Sequence, residues 1–337
     1  MEPSLEERMP ASAQEPEVAR RSPLKTGLSA LRGRVARSLT DARYALHSSL
    51  ISNRGSRRAF EQHRPALTDP QRVAVAALVK DGIAFLTVED LPALQPVWER
   101  LQGEVGAFVE SPRVTDAVRA FPELLARGGV ASDAYIIKMY PGRPTFSVTD
   151  PLLAFGLHDA ILGIVNSYLR LWSKLIYTDV WHTIMSGVSQ RIGSQEWHRD
   201  PEDRRMVKGY LYFGDVDDGA GPMEYVAGSK PGGRYGSLRP WHPLGGHGAR
   251  YLSDDAVRQR VASQDRIVCR GVRGTLILCD TDGLHRGGLA TTAPRIAATW
   301  TYVTPAALAM TASRRFDVAQ PVPELAAAAA YALSREA

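Results

Sequence analysis

LIYTDVWHTI (Leu175–Ile184) is the first of five short runs that decide how this chain folds. Val207–Asp215, Met223–Val226, Thr275–Cys279 and Arg295–Val303 follow it, each rich in β-branched or aromatic residues and bounded by Gly, Pro, Asp or Ser. Many short strands set off by such turns predict a sandwich or barrel, and no strand–helix–strand alternation marks a parallel sheet. The chain before Leu175 has a different texture. Asp69 at the cap and Pro70 at the first position predict a helix over 70–81, followed by a strand at Ile83–Val88. A second helix is expected from Pro92 to Phe108, then a polar connection, a strand at Ala134–Met139 closed by Tyr140-Pro141-Gly142, and a helix over Leu152–Leu171. A helical N-terminal half leads into a β-rich C-terminal half, where the chemistry should sit.

The composition excludes several classes. Of 337 residues only Cys269 and Cys279 are cysteine, too few for a disulfide framework and without paired metal-ligand spacing. A reducing, cytoplasmic setting is expected. The longest apolar run, Leu325–Leu333, is far short of the about 20 residues that span a bilayer. Glu2, Glu6 and Glu7 have no apolar stretch behind them, so no secretory signal is expected. The net charge of +5 is unevenly spread. Residues 1–19 carry five Glu against one Arg; residues 20–58 carry ten Lys/Arg against Asp41 alone, which leaves 59–337 neutral. That neutrality, with no basic patch interleaved with aromatics, argues against nucleic acid as a partner. Residues 1–58 read as a disordered and basic amphipathic arm. Within it Leu24, Leu28, Leu31, Val35, Leu39, Ala42, Leu46 and Leu50 form one helical stripe, beside which lie Lys25, Arg32, Arg34, Arg37 and Arg43. Such a helix can pack on the protein's own core, or lie on an anionic membrane or an acidic partner.

Gln195-Glu196-Trp197-His198-Arg199-Asp200 holds the chain's one His-x-Asp. On a strand, residues two apart share a face, so His198 and Asp200 can grip one metal ion together. Imidazole with carboxylate suits Fe(II), Mn or Zn, and the absence of thiolates argues against a structural zinc site. A third ligand must come from elsewhere. His47 and His63 lie in or just after the arm, His158 on a helix, and His182 on a strand as a packed residue. His242 and His247 sit in a Gly/Pro-rich loop and rival His285, which follows the strand Thr275–Cys279. Ten residues on, Arg295 opens a mostly apolar strand, where an unpaired guanidinium is costly; a dicarboxylate ligand would supply its partner. Glu196 and Asp203 are candidates for orienting the ligands, Trp197 for packing beside them. The Gly-rich stretches 231–236 and 244–248 read as loops, with Arg234, Arg239 and Arg250 as solvated charges.

His-x-Asp, a distal His, then Arg about ten residues later resembles the Fe(II)/2-oxoglutarate-dependent oxygenases, and within them the phytanoyl-CoA dioxygenase-like (PhyH) family. Gly219-Ala220-Gly221-Pro222-Met223-Glu224-Tyr225-Val226-Ala227-Gly228-Ser229-Lys230 is similar to that family's Gly-Pro/Ala-Leu-x-x-x-Pro-Gly-Ser-His-Lys segment, with Ala227 and the missing His as departures. The order Trp-His-x-Asp, Asp-Val-Asp, the Gly-Ser segment and His-Arg-Gly-Gly also matches, over about residues 131–305. The resemblance implies a mainly β fold with flanking helices around a double-stranded β-helix (jelly-roll, cupin-like) core. It divides the chain into the arm, a helical part at 59–130, the core at 131–312 and a C-terminal helix or tail at 313–337. His198, Asp200 and His285 would ligate Fe(II), and Arg295 would pair with the distal carboxylate of 2-oxoglutarate. Lys138 and Tyr210 fall where the family often contacts this co-substrate. Ala297 stands where many relatives have Ser or Thr, so Arg295 would be assisted by Thr299, by Tyr210, or by no hydroxyl. The implied activity is a dioxygenase that uses O2 to hydroxylate or otherwise oxidise a small organic substrate, releasing succinate and CO2. A carboxylate at Asp200, where halogenating members carry a small residue, favours hydroxylation or a related oxidation. Two alternatives stay open: a cupin-like metalloenzyme that uses no 2-oxo acid, and a non-catalytic jelly-roll recruited by its basic helix.

Overall fold

The structure, a computed structural model, describes Leu46, residues 48–127, 135–185, Arg191, 193–238, 251–307 and 313–334. The stripe at 24–45, His47, His242, His247, Arg239 and Arg250 lie outside the described residues. A helix, α1 (Arg54–Gln62), runs across position 58 and is tied to later parts of the chain. Trp172 N donates to Ser56 O at 3.2 Å, and Ala306 N to Asn53 Oδ1 at 3.0 Å. Next comes α2 (Asp69–Asp81), whose cap is Thr68, one residue before the expected Asp69. Gln71 sits three residues past Thr68, and its Oε1 accepts from Thr68 N at 2.7 Å. Strand β1 (Ile83–Thr87) and helix α3 (Gln95–Val109) fall where their patterns predict.

The expected polar connection is instead a second long helix, α4 (Pro112–Ala126). It buries only Val114 and Phe121, so its apolar stripe is narrow, and Pro122 in its interior reads as a breaker. After β2 (Ile136–Lys138) and β3 (Thr145–Phe146), the expected helix over 152–171 is two, α5 (Pro151–Leu157) and α6 (Asp159–Leu169). They bend by 44° at His158, which has left the helical conformation and caps α6 by accepting from Ala160 N at 3.1 Å. Among the described residues no single helix is long and apolar enough to cross a membrane. The bent pair is instead buried against a sheet.

That sheet is built from β4 (Lys174–Thr183), β5 (Met206–Tyr212), β8 (Thr275–Cys279) and β10 (Arg295–Val303), extended by β1 and β2. Its order is β1-β8-β5-β10-β4-β2, every pair antiparallel. A second sheet, β7-β6-β9, comprises β6 (Glu224–Val226), β7 (Arg266–Val268) and β9 (His285–Arg286), and His198 bridges to His285 at its edge. Between β6 and β7 lies a short helix, α7 (Asp254–Arg258); β11 (Asp317–Val318), which pairs with β3, and α8 (Ala327–Leu333) end the described chain. From β4 onward the chain moves back and forth between the two sheets, which is the winding of a double-stranded β-helix. The fold is mainly β with flanking helices.

Alternation along the strands gives the large sheet two different faces. Val180, Val207, Leu211, Leu276, Leu278, Ala298, Trp300 and Tyr302 pack into the core shared with the helices. Trp300 stacks on Phe155 at 4.9 Å between ring centroids and donates to Leu152 O at 2.8 Å. Gly156 permits this approach, because a Cβ there would fall 2.3 Å from Trp300 Cδ1. The residues in between, Trp181, Thr183, Lys208, Tyr210, Tyr212, Arg295 and Ala297, line a cavity between the sheets.

Candidate metal centre

His198 and His285 are placed by the backbone. Each donates its N–H to the other's carbonyl, at 2.9 and 3.0 Å, and Asp200 N donates to Thr281 O at 2.9 Å. These bonds carry residues almost ninety positions apart to one point, with imidazole centroids 4.3 Å apart. Asp200 Oδ1 lies 3.8 Å from His198 Nε2, and Oδ2 3.6 Å from His285 Nε2. One ligand atom from each residue lies within 4.8 Å of the others. Both rings are turned the same way. His198 Nδ1 is 2.8 Å from Glu196 O and His285 Nδ1 is 3.0 Å from Gly283 O. A carbonyl can only accept, so Nδ1 carries the proton and each Nε2 offers its lone pair to the centre. Burial, and then the neighbouring His198, push His285 down to about 3, so it is neutral, as a metal ligand must be. Burial alone would raise Asp200; the ammonium of Lys208 outweighs it and holds the carboxyl well below its usual range.

Two imidazole nitrogens and a carboxylate oxygen on one side of a cavity fit a divalent cation such as Fe(II), Mn or Zn. The cavity, about 110 Å³, also holds Arg295 and Tyr210. Arg295 is half-buried, its Nη1 has no hydrogen-bond partner, and among the described residues no carboxylate pairs with it. Neither Thr299 nor Tyr210 hydrogen-bonds this guanidinium; Thr299 Oγ1 is itself buried without a partner. The phenol of Tyr210 is raised well above its ordinary value by burial, and so is neutral. Lys138 goes elsewhere. It pairs with Trp181 on the edge strand β2 and lines a neighbouring groove with Arg113, Phe121 and Ile136. The structure does not bring it to the cavity.

Among the described residues, the other histidines are placed away from the centre. His182 points to the helix side of β4, His158 caps α6, and His63 lies against Trp172, the rings tilted by 39°. Glu196 serves through its carbonyl, whereas Asp203 binds Arg204 N and Thr304 N, both at 2.7 Å, and so fixes backbone. Trp197 is buried beside the centre and donates to Asp254 Oδ1 at 2.9 Å. In the Gly-Ser segment, Ser229 Oγ donates to Val226 O at 2.6 Å and accepts from Leu284 N at 2.7 Å, which positions the residue before His285. Ala227 has a use as well: its N–H donates to Asp265 O at 2.8 Å, a bond that proline cannot make.

Two basic residues escaped the sequence reading. Lys208, beside Tyr210 on β5, places Nζ 2.7 Å from Asp200 Oδ2. Arg286, next to His285, makes a two-pronged pair with Glu224 at 2.9 Å, contacts Asp254, and stacks over Trp197 at 4.4 Å. A lone Lys within the otherwise uncharged strand Met206–Tyr212 was the available signal for the first.

No protein-family model matches the chain, and no curated protein matches it by sequence. Solved structures do match it. SnoN, a non-heme α-ketoglutarate-dependent epimerase from nogalamycin biosynthesis, is 15% identical over 69% of this chain and 83% of its own, with a TM-score of 0.40. EctD from S. alaskensis, with 2-oxoglutarate and 5-hydroxyectoine, is 17% identical over 76% and 89%, with a TM-score of 0.46. SnoK, a non-heme α-ketoglutarate-dependent carbocyclase, is 16% identical over 71% and 87%, at 0.38. Likenesses this distant leave the assignment to the site's own geometry.

Proposed function

We propose that the chain is a cytoplasmic non-haem Fe(II)- and 2-oxoglutarate-dependent dioxygenase of the phytanoyl-CoA dioxygenase-like group, hydroxylating a small organic substrate. The observation that carries this reading is Arg295. A buried guanidinium nitrogen with no partner shares one cavity with His198, Asp200 and His285. Leaving such a group unpaired is costly, and a carboxylate at the far end of a metal-bound 2-oxo acid would satisfy it. The two buried free cysteines, Cys269 and Cys279, agree with a reducing compartment.

In this reading His198, Asp200 and His285 hold the metal on one side, with their Nδ1–H groups fixed by backbone carbonyls. When bound, Fe(II) with 2-oxoglutarate supplies the oxidising chemistry: one O2 is consumed, one oxygen atom enters the substrate C–H bond, and the other leaves in succinate as CO2 is lost. Arg295 orients the co-substrate, and the neutral Tyr210 bounds the space beside it. Asp200 retains the carboxylate that favours hydroxylation over halogenation.

The test is aerobic incubation of the full chain with Fe(II) and labelled 2-oxoglutarate, measuring succinate and CO2. Turnover is expected in wild type and not in Asp200→Ala. Arg295→Leu should weaken 2-oxoglutarate binding about a hundredfold, the cost of removing one partner from a buried charge pair. Equal turnover in wild type and Asp200→Ala would sink the assignment. A metal-loaded wild type that binds no 2-oxoglutarate would favour a cupin-like metalloenzyme instead.

A further inference from the structure

One buried cation in the cavity has no part in that scheme. Lys208 has a side chain only 12% exposed, and its ammonium lies 2.7 Å from Asp200 Oδ2, the oxygen that is also 3.6 Å from His285 Nε2. Glu202, from the same segment as Asp200, is buried but is engaged by Arg315 Nη2 at 3.2 Å, so Asp200 is the carboxylate that Lys208 touches. An ammonium in contact with a ligand oxygen opposes the binding of a dication there, and burial makes that opposition stronger than in water. The contact is an ion pair, since Asp200 Oδ2 has no hydrogen-bond partner among the described residues, and positioning alone does not explain the choice of residue: a neutral side chain could pack against the carboxylate without that repulsion. The charge itself has a consequence. His198 and His285 are neutral ligands, so Asp200 supplies the group's one negative charge, and Lys208 cancels it.

We propose, building on the oxygenase reading, that Lys208 is a positioning residue that sets the charge of the site: it holds Asp200 and leaves the metal's double charge uncompensated, so that a dianionic co-substrate is bound at the expense of metal affinity. The two affinities should therefore move in opposite directions when the charge is removed. Damage to the structure would weaken both.

The experiment titrates Co(II) into the metal-free full chain by calorimetry, then 2-oxoglutarate into the Co(II)-loaded protein by visible absorption. Lys208→Met is expected to bind Co(II) about tenfold more tightly and 2-oxoglutarate about tenfold more weakly, the scale of one nearby unit charge at partial screening. Lys208→Gln, which is polar but uncharged, should behave like Lys208→Met and carries the test if Lys208→Met impairs folding. Lys208→Arg should restore both affinities towards wild type. Weakening of both ligands, or no change in either, would overturn the proposal. If wild type binds Co(II) but no 2-oxoglutarate, the oxygenase reading falls, and the Co(II) arm alone decides on Lys208: unchanged or weaker Co(II) binding in Lys208→Met and Lys208→Gln refutes it.

Discussion

Gly221 and Gly288 meet where the Gly-Pro segment passes the strand end that follows His285. A Cβ on Gly288 would fall 2.3 Å from Pro222 O and 2.5 Å from the carbonyl carbon of Gly221; one on Gly221, whose φ is +68°, would fall 2.5 Å from Ala290 N. The blocking atoms are backbone and cannot rotate away. Gly288→Ala should therefore destabilise by about 1–3 kcal/mol, the usual range for overpacking. Gly287→Ala has its nearest neighbour at 3.6 Å and should stay within about 0.5 kcal/mol of wild type. Urea midpoints read both, and equal midpoints for the two variants would contradict the argument. The same contrast explains what the sequence made legible. His198, Asp200, His285 and Arg295 could be singled out because imidazole, carboxylate and an unpaired guanidinium near strand ends are chemically conspicuous wherever they occur. Lys208 could not, because its meaning depends on how the loop before β5 folds Asp200 back onto it. Lys138 fell on a predicted strand, but nothing local says that this strand is an edge whose lysine borders a different groove.

At the scale of elements, β8 and β10 have the bounds their apolar runs suggest, because five to nine residues suffice to display a pattern. The smaller sheet was largely hidden. Strands of two or three residues, as in β6, β7 and β9, show no period, and side chains hold them together instead. Glu224 on β6 receives Arg286 from β9 at 2.9 Å and Arg191 at 3.3 Å, and Arg191 also reaches Gly287 O at 3.0 Å. This knot fixes the strand that carries His285. Removing the acid leaves two guanidinium groups facing each other with Asp254 and Glu196 as the remaining nearby anions. Glu224→Ala should therefore cost about 3 kcal/mol, the loss expected when one partner of a buried pair is removed. Glu224→Gln, which still accepts one hydrogen bond, should cost less. The check is chemical denaturation of both variants; an Ala variant as stable as wild type would show that the knot contributes nothing.

For the molecule as a whole, the centre joins parts of the chain that folding must bring together from far apart. His198 and Asp200 precede β5 of the large sheet, while His285 opens β9 of the small one. An ion held by all three binds the native arrangement and has no comparable site in the unfolded chain, so its binding free energy adds to the stability of the fold. At a hundred times its dissociation constant the gain is about 2.7 kcal/mol. For a chain of 337 residues that is roughly 4 °C in Tm. Co(II) or Mn(II) should raise the melting temperature of the metal-free protein by that amount, and added chelator should reverse it. His285→Ala removes a ligand from the far strand and should melt at the same temperature with and without metal. A similar metal-induced rise in His285→Ala would mean that the ion binds elsewhere, and no rise in wild type would mean that the three side chains do not act together as one site.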